Sequence, residues 1–320
     1  MTEPGPLNAI TDVTGIRVGH TTLTEGRART GVTVILPPAL PCFAGWHRLN
    51  GNGELTGTAW IDESGLLTTP IGLTNTHSVG VVRDTIVASL ARTGVWLLPV
   101  VGETWDGVLN DVNGQHIRAE HVEQALRTAA GGPVAQGNVG GGTGMICHGF
   151  KGGIGTASRV TEHGHTVGVL VQANHGRRSR LRVNGVPFVA DDIPLPGRDE
   201  GAGSIIGIVA TDTPLLPHQC RRLAQRVGLG VARMGGAGEQ SSGDLFLAFS
   251  TGNTGIPTGE IDEQPPLTVE LSMLADAYIT ELFDAVIDAT EGAILNALIH
   301  AETMTGYDGT VVHAFPADRL

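Results

Sequence analysis

Two adjacent serines, Ser241 and Ser242, stand at the boundary between a glycine-rich segment and a short apolar run. The glycines of 234–238 disfavour a helix and predict a loop, while residues 244–249 are typical of a buried strand. Serine is a poor nucleophile without a base beside it. A cut just before such a serine would free an α-amine with a reference pKa near ~8, which could be that base. A plain turn before a core strand is the alternative.

Two further polar residues could assist a serine nucleophile. Asn174 ends the apolar run 169–173 and could donate its side-chain amide to a developing oxyanion; an asparagine in a turn is the alternative. Glu291 lies in a long helical pattern over 273–301 and could orient a hydroxyl or hold an ammonium group. An exposed acid on a helix face is the alternative for Glu291.

The densest glycine segment, 140–144, also contains a candidate binding surface. No strand precedes it and it has no lysine before a Ser or Thr, so it does not match a nucleotide-binding loop. One interpretation is the wall of a substrate pocket, in which Gly142 and Thr143 leave space and expose N–H donors. The other is a tight crossover where two backbones touch.

Composition argues against two classes of function. The net charge is −12, and the densest basic cluster, residues 177–182, is short, so we expect no nucleic-acid partner. No apolar stretch of about 20 residues occurs, so we expect no membrane span. Residues 1–6 lack the features of a signal peptide.

The cysteines and histidines indicate neither disulfides nor a metal centre. The cysteines are odd in number and widely spaced, which favours a reducing compartment and a cytoplasmic location. They are Cys42, Cys147 and Cys220. The closest histidine candidates, His163, His165 and His218, have no carboxylate cluster or HExxH motif beside them. We therefore expect no metal and no other cofactor.

Strand and helix patterns both occur without a clear linker or repeat, and the strands fall in hairpin-like groups rather than in strict alternation with helices, which predicts one domain over 1–320 of the α+β class with mixed sheets. The predicted strands are 10–20 (broken by a glycine), 32–36, 97–102, 152–160, 166–172, 181–183, 204–211 and 244–249. The predicted helices are 81–93, stopped by Gly94, then 116–130, 214–233 and 273–301. Asp212 or Thr213 is expected to cap the third helix, with Pro214 at its first position.

Six segments, taken in order, resemble one known family. They are 10–21, 103–111, 140–145, 171–176, 210–219 and 242–246. In this order they resemble the DmpA-type aminopeptidases, which comprise L-aminopeptidase/D-esterase and β-peptidyl aminopeptidase enzymes. The resemblance covers nearly the whole chain. It implies a four-layer αββα sandwich like that of N-terminal nucleophile hydrolases, with different connectivity.

The resemblance also implies a precursor that cuts itself and exposes a new N-terminal serine. The family's Ser-Gly-Asp motif matches Ser242, which gives chains 1–241 and 242–320. Family members often have Gly or Asn before the cut, whereas this chain has Ser241. Ser241 therefore stays open as an alternative nucleophile.

By the same resemblance, Asn174 is the oxyanion donor and the family's Ser-x-Glu pair matches residues 289–291. The glutamate is kept as Glu291, but Ala289 replaces the serine. A relay of two serines then requires another hydroxyl, for which Thr290 is the candidate.

Two substrate contacts follow from the resemblance as well. The family's oxyanion tyrosine falls near residues 105–108, where this chain has no tyrosine and Trp105 is the candidate donor. Glu103 matches an acid that holds the substrate's amino group.

The implied enzyme is an aminopeptidase acting on small peptides, amides or esters with a free amino group, with L-, D- or β-residues, and assembled as a homotetramer. The alternatives are an acyltransferase of the ornithine acetyltransferase type and an unprocessed, non-catalytic homologue.

Overall fold

A computed structural model describes residues 2–91, 96–197, 203–258 and 263–320 of the chain. The strands are β1 Arg17–Leu23, β2 Thr30–Leu36, β3 Cys42–Gly51, β4 Leu66–Leu67, β5 Ile71–Asn75, β6 Val100–Thr104, β7 Ile146–Cys147, β8 Phe150–Lys151, β9 Gly153–Val160, β10 Thr166–Asn174, β11 Arg182–Val183, β12 Val186–Pro187, β13 Ser204–Thr211, β14 Gly243–Ser250, β15 Met304–Thr305 and β16 Val311–Val312. The α-helices are α1 Thr58–Ser64, α2 Val79–Leu90, α3 Ala119–Thr128, α4 Pro217–Arg233 and α5 Ile279–Ile299.

Two sheets stack face to face and each is covered by helices. The larger sheet has the strand order β4-β3-β14-β13-β10-β9, and the smaller has β1-β2-β5-β6. Helices α4 and α5 pack on the larger sheet, while α2 and α3 pack on the smaller one. The layers therefore run helix, sheet, sheet, helix, which confirms the α+β, four-layer αββα sandwich.

Strand β13, inside the larger sheet, is largely apolar on both faces because both of its faces are covered. In β13, Ile206 and Ile208 pack between the two sheets, whereas Ile205 and Val209 pack under the helices. Strand β13 was predicted with the bounds that the structure has, since its apolar run is uninterrupted. No helix in the described part of the chain is long and apolar enough to cross a membrane.

The connection β13-α4-β14 decides where functional groups meet. Strands β13 and β14 are parallel neighbours, so both begin at the same edge of the larger sheet. Strands β3 and β10 run antiparallel to these neighbours, so both end at that edge. Four chain segments far apart in sequence therefore converge beside Ser242.

Two helix starts differ from the sequence prediction. Helix α4 begins at Pro217 rather than at Pro214, because the Gln219 side chain accepts a hydrogen bond from the Leu216 backbone N–H and closes the first turn there. Proline at the first helical position was expected, but it is a different proline. Helix α5 begins at Ile279 rather than near residue 273, because Leu274 is tied in an extended segment to Pro214.

The strand predictions missed β3, β5 and several two-residue strands, and they misjudged the first strand. Strand β3 was not predicted because its second half, residues 47–51, is polar and partly exposed. Residues 10–12 form a single turn of 3-10 helix, and the strand begins only at Arg17. The predicted end of the helix 81–93 lies outside the described residues, since α2 is described to Leu90 and residues 92–95 are not described.

Candidate active site

A cavity of about 850 Å³ opens at the edge where the four segments converge. Asn52, Asn174, Ser204 and Ser241 line it from the larger sheet. Glu103 and the residues that follow it line it from the smaller sheet. The cavity is therefore built from the ends of strands in both sheets, which are held rigidly by the apolar core between them.

Ser242 is the residue that follows Ser241 and directly precedes β14. Its side chain is buried, and its Oγ donates a hydrogen bond of 2.6 Å to Asp244 Oδ1. Burial raises the pKa of the Asp244 carboxyl to about 6, against the lowering effect of the bond from Ser242. With the chain continuous here, the Ser242 N–H donates to the Glu239 carbonyl at 2.8 Å.

The carbonyl group of Ser241 has a defined donor. Asn52, just beyond the end of β3, donates from Nδ2 to the Ser241 carbonyl oxygen at 2.7 Å. The next peptide is also held, since the Gly243 N–H donates to Ser204 Oγ at 3.0 Å. Both peptides that flank Ser242 are thus held by side chains, one by the exposed Asn52 and the other by the buried Ser204.

Asn174 ends β10 and is nearly buried. Its Oδ1 accepts the Ile146 N–H at 2.7 Å, and its Nδ2 donates to the Trp105 carbonyl at 2.9 Å. These two bonds fix which end of the amide carries the N–H groups. An amide nitrogen has two protons, so Asn174 keeps one for a group in the cavity. The Trp105 side chain lies on the cavity wall and is 42% exposed.

A buried cation supports the segment that orients Asn174. Lys151 is fully buried, and its ammonium donates to the carbonyls of Gly142, Met145 and Gly152 at 3.3, 2.8 and 2.8 Å. The Met145 carbonyl belongs to the same peptide as the Ile146 N–H that Asn174 accepts. Burial lowers the pKa of Lys151 to about 7.

Glu103 faces the start of β14 from the smaller sheet. Its carboxylate is buried and accepts hydrogen bonds from the Thr76 hydroxyl and, at 3.0 Å, from the Glu54 N–H. Burial raises its pKa above the ordinary value. A Cβ on Gly53 would lie 2.9 Å from Glu103 Oε1 and 3.3 Å from Gly243 Cα, so only a glycine separates this acid from the start of β14.

The structure gives Gly142 and Thr143 a different place from the one expected. Both are fully buried, and the Thr143 hydroxyl donates to the Gly140 carbonyl. A Cβ on Gly142 would lie 2.2 Å from the Ile154 nitrogen. This segment is therefore the tight crossover between backbones, and the prediction that these two residues form a pocket wall is wrong.

The predicted Thr290 and Glu291 are likewise not brought to the cavity. Both lie on α5, in the outer helical layer. The Thr290 hydroxyl donates to the Val286 carbonyl at 2.7 Å within the same helix. Glu291 shares the guanidinium of Arg233 with Asp288, at 3.3 and 2.5 Å. The expectation that Glu291 orients the nucleophile's hydroxyl is corrected, because Asp244 holds that position.

Three residues at the site were not singled out from the sequence: Asn52, Ser204 and Asp244. Asp244 lies inside the matched motif, and its position two residues after the serine could have indicated it. Asn52 and Ser204 are brought beside Ser242 only by the pairing of β14 with β3 and β13, which no local pattern reveals.

Close behind Asn174 lies a buried group that could hold a metal ion. Potential ligand atoms of Cys147, His148 and His175 lie within 4.8 Å of one another. Burial raises the pKa of the Cys147 thiol to about 12 and lowers the pKa of His175 well below its usual value. These pKa shifts indicate that the Cys147 thiol and the His175 imidazole are both neutral, with Sγ and Nδ1 3.8 Å apart.

Comparison with known proteins identifies the family. The model of peptidase family S58 matches residues 8–312 of the chain. The chain belongs to peptidase family S58. It is 46% identical to a beta-peptidyl aminopeptidase of Sphingosinicella microcystinivorans over 355 aligned residues, covering 99% of this chain and 88% of that protein.

Solved structures of this family share the fold. A beta-aminopeptidase of a Burkholderia species is 54% identical and superimposes with a TM-score of 0.95, over 100% of this chain and 94% of that one. An L-aminopeptidase D-Ala-esterase/amidase of Ochrobactrum anthropi is 41% identical with a TM-score of 0.92, at the same coverage. It is described as a prototype serine aminopeptidase with a variant of the N-terminal nucleophile hydrolase fold. This chain is thus a serine aminopeptidase of that type.

Proposed function

We propose that Ser242 becomes the N-terminal nucleophile of an enzyme that releases N-terminal amino acids from small peptides, amides and esters. The observation that carries this proposal is the convergence of Asn174 and Glu103 on one cavity whose wall includes Ser241, directly before the buried Ser242. Each of them has the chemistry that one part of the reaction needs. Ser241 is the alternative nucleophile, and Ser242 is favoured because its hydroxyl already contacts a carboxylate.

The reaction begins with attack of Ser242 Oγ on the substrate carbonyl carbon. The freed α-amine of Ser242 accepts the hydroxyl proton, since an amine near its own pKa is an effective base. Asn174 donates its remaining N–H to the oxyanion, with Trp105 on the adjoining wall. The α-amine then protonates the leaving group, and water hydrolyses the acyl-enzyme.

Substrate selection follows from the charges and surfaces of the cavity. Glu103 is a buried acid that would attract a free ammonium group. The cavity lining also includes Val108, Val112 and Ile146, which suit an apolar side chain. A cavity of about 850 Å³ has room for residues with an extra backbone carbon or inverted configuration. We therefore propose β- and D-residues as substrates beside L-residues.

A cut before Ser242 would leave two chains that stay together. The small chain, 242–320, contributes β14, which pairs with β3 on one side and β13 on the other. It also contributes α5, which packs on β9 and β10. Both chains therefore share the same apolar core, and 1–320 remains one folded unit.

The proposal is tested with paired substrates, a free-amine p-nitroanilide and its N-acetylated form. The free-amine substrate should be cut and the acetylated one far more slowly. Ser242→Ala should remove activity, whereas Ser241→Ala should keep it. Equal rates on the two substrates would contradict recognition of the ammonium group.

We further propose a homotetramer located in the cytoplasm. The assembly is supported by exposed apolar residues clustered before α5, which suit a contact between copies of the chain. They are Leu267, Val269, Leu271, Met273 and Tyr278. The location is supported by three buried cysteines held as thiols. Light scattering and cell fractionation test the two statements.

A further inference from the structure

The proposed reaction uses an α-amine that does not exist before the chain is cut. In the continuous chain the Ser242 nitrogen is an amide that donates to the Glu239 carbonyl at 2.8 Å. An amide nitrogen is not a base at neutral pH. Self-cleavage, on which this inference rests, therefore needs a proton acceptor and an oxyanion donor of its own.

Asp244 has the position of that proton acceptor. Its Oδ1 already accepts the Ser242 hydroxyl at 2.6 Å, within the distance that general-base transfer requires. The carboxyl is 1% exposed. The acid facing it is Glu239, which is itself 3.6 Å from the guanidinium of Arg177. Burial gives Asp244 a pKa of about 6, so it is both ionised at neutral pH and more basic than an ordinary aspartate.

Asn52 has the position of the oxyanion donor. Its Nδ2 donates to the carbonyl oxygen of Ser241 at 2.7 Å, and this is the carbonyl of the bond to be cut. A donor aimed at that oxygen stabilises the negative charge that develops on it during attack. Asn52 reaches it from the end of β3, so the donor is fixed by the sheet rather than by the loop that carries Ser241.

We propose that Asp244 and Asn52 are the base and the oxyanion donor of self-cleavage, a step separate from substrate hydrolysis. Asp244 takes the hydroxyl proton as Ser242 Oγ bonds to the Ser241 carbonyl carbon, and Asn52 donates to the resulting oxyanion. The C–N bond then breaks, and Asp244 returns the proton to the Ser242 nitrogen. Water hydrolyses the ester that remains, giving the Ser241 carboxylate and the free Ser242 hydroxyl and α-amine.

The test follows the conversion of freshly translated full-length precursor into two chains on a denaturing gel. Asn52→Ala should slow the cut by about 100-fold or more, the usual effect of removing one oxyanion donor. Asp244→Asn keeps an acceptor oxygen but removes the base, and should slow the cut by about 100-fold or more. Asn138→Ala is the matched control.

Asn138 is chosen because its Nδ2 likewise joins two chain segments, through the Glu302 carbonyl at 2.8 Å, and its described contacts include neither Asp244 nor the scissile carbonyl. Its loss should change the rate by no more than about 5-fold, the effect of one neutral hydrogen bond. Asn52→Asp, which keeps the side-chain size but removes the donor, should be as slow as Asn52→Ala and decides the case if the alanine variant does not fold.

A pH profile separates the base from a purely structural role. The wild-type rate of cutting should rise as pH increases through about 6 and then level off, because only ionised Asp244 accepts a proton. Asp244→Asn should lack this rise. Cutting of the Asn52 or Asp244 variants at the wild-type rate would overturn the inference. A wild-type chain that is never cut would instead overturn the proposed self-cleavage.

Discussion

Glu103 and Glu291 were both expected to take part in the reaction, but the structure places them in different environments. Glu103 is the next-to-last residue of β6 in the smaller sheet, is buried, and lies on the cavity wall. Glu291 lies on the outer helical layer, where its partner is Arg233 and its side chain is 21% exposed. Among the described residues no cation pairs with Glu103, whereas the charge of Glu291 is already paired with that of Arg233.

The contrast shows which carboxylates are available for chemistry. A buried acid held only by neutral donors keeps a charge that a substrate ammonium can pair with, at a cost in solvation. A partly exposed acid in an ion pair is screened by water and contributes little. Residue type and a motif match do not distinguish these cases, but the partner and the burial do.

The largest effect is expected for Glu103→Gln, which removes the charge but keeps the shape. The value of kcat/KM for free-amine substrates should fall by about 30-fold or more, as when one partner of a buried charge pair is lost. Steady-state kinetics on free-amine and N-acetylated substrates measure it, and the N-acetylated substrate should show little change.

The pH dependence sharpens the same prediction. As the pH falls, Glu103 becomes protonated and no longer pairs with the substrate ammonium, so KM for the free-amine substrate should rise. Because the pKa of Glu103 is raised, this increase in KM should begin at a higher pH than the pKa of an ordinary glutamate would give. The glutamine variant should lack this dependence. An equal loss on both substrates would show that Glu103 supports the fold rather than the ammonium group.

An intermediate effect is expected for Lys151→Met. The variant loses the ammonium that holds the Met145–Ile146 peptide, so Asn174 is oriented less well and kcat should fall by about 10-fold, as for hydrogen bonds from a charged donor. KM should change little. Arg159→Met is the control, since Arg159 donates to the Ser158 and Asp288 carbonyls at the far end of β9.

A double-mutant cycle decides whether Lys151 acts through Asn174. In an Asn174→Ala background, Lys151→Met should have almost no further effect on kcat, because the group it positions is gone. Additive losses in kcat would mean that Lys151 acts elsewhere.

The smallest effect is expected for Glu291→Gln. The ion pair with Arg233 is partly exposed, so its loss should lower the free energy of unfolding by about 0–1 kcal/mol. The kcat of the cut enzyme should stay unchanged. Thermal unfolding and steady-state kinetics measure both quantities. A clear loss of kcat in a stably folded Glu291→Gln protein would contradict this contrast and show that Glu291 takes part in catalysis.

The sequence predicted the parts of the site that lie next to regular apolar runs. Ser242 directly precedes β14 and Asn174 ends β10, two strands whose apolar residues are buried on both faces, and Glu103 is the next-to-last residue of β6. The ends of neighbouring strands meet at sheet edges, so residues at such ends can share a cavity. The four-layer sandwich itself was implied by the motif order rather than by periodicity.

Other features could not be read from local patterns. Glycine density at 140–144 indicated a close approach but not whether a ligand or another backbone comes near, and at Gly142 the backbone of β9 fills that space. Helical periodicity placed Glu291 on α5 but could not show that this face meets Arg233. Asn52 contacts Ser241 only because β3 pairs with β14, almost 200 residues away in the chain.

The central claim is that the nucleophile is created by a cut between Ser241 and Ser242. Mass spectrometry of intact purified protein over time tests it most directly, with Ser242→Ala alongside. The account predicts two fragments whose masses correspond to 1–241 and 242–320 in the wild type, and one species near 33.2 kDa in the variant. Two fragments from Ser242→Ala, or a catalytically active wild type that stays whole, would contradict it.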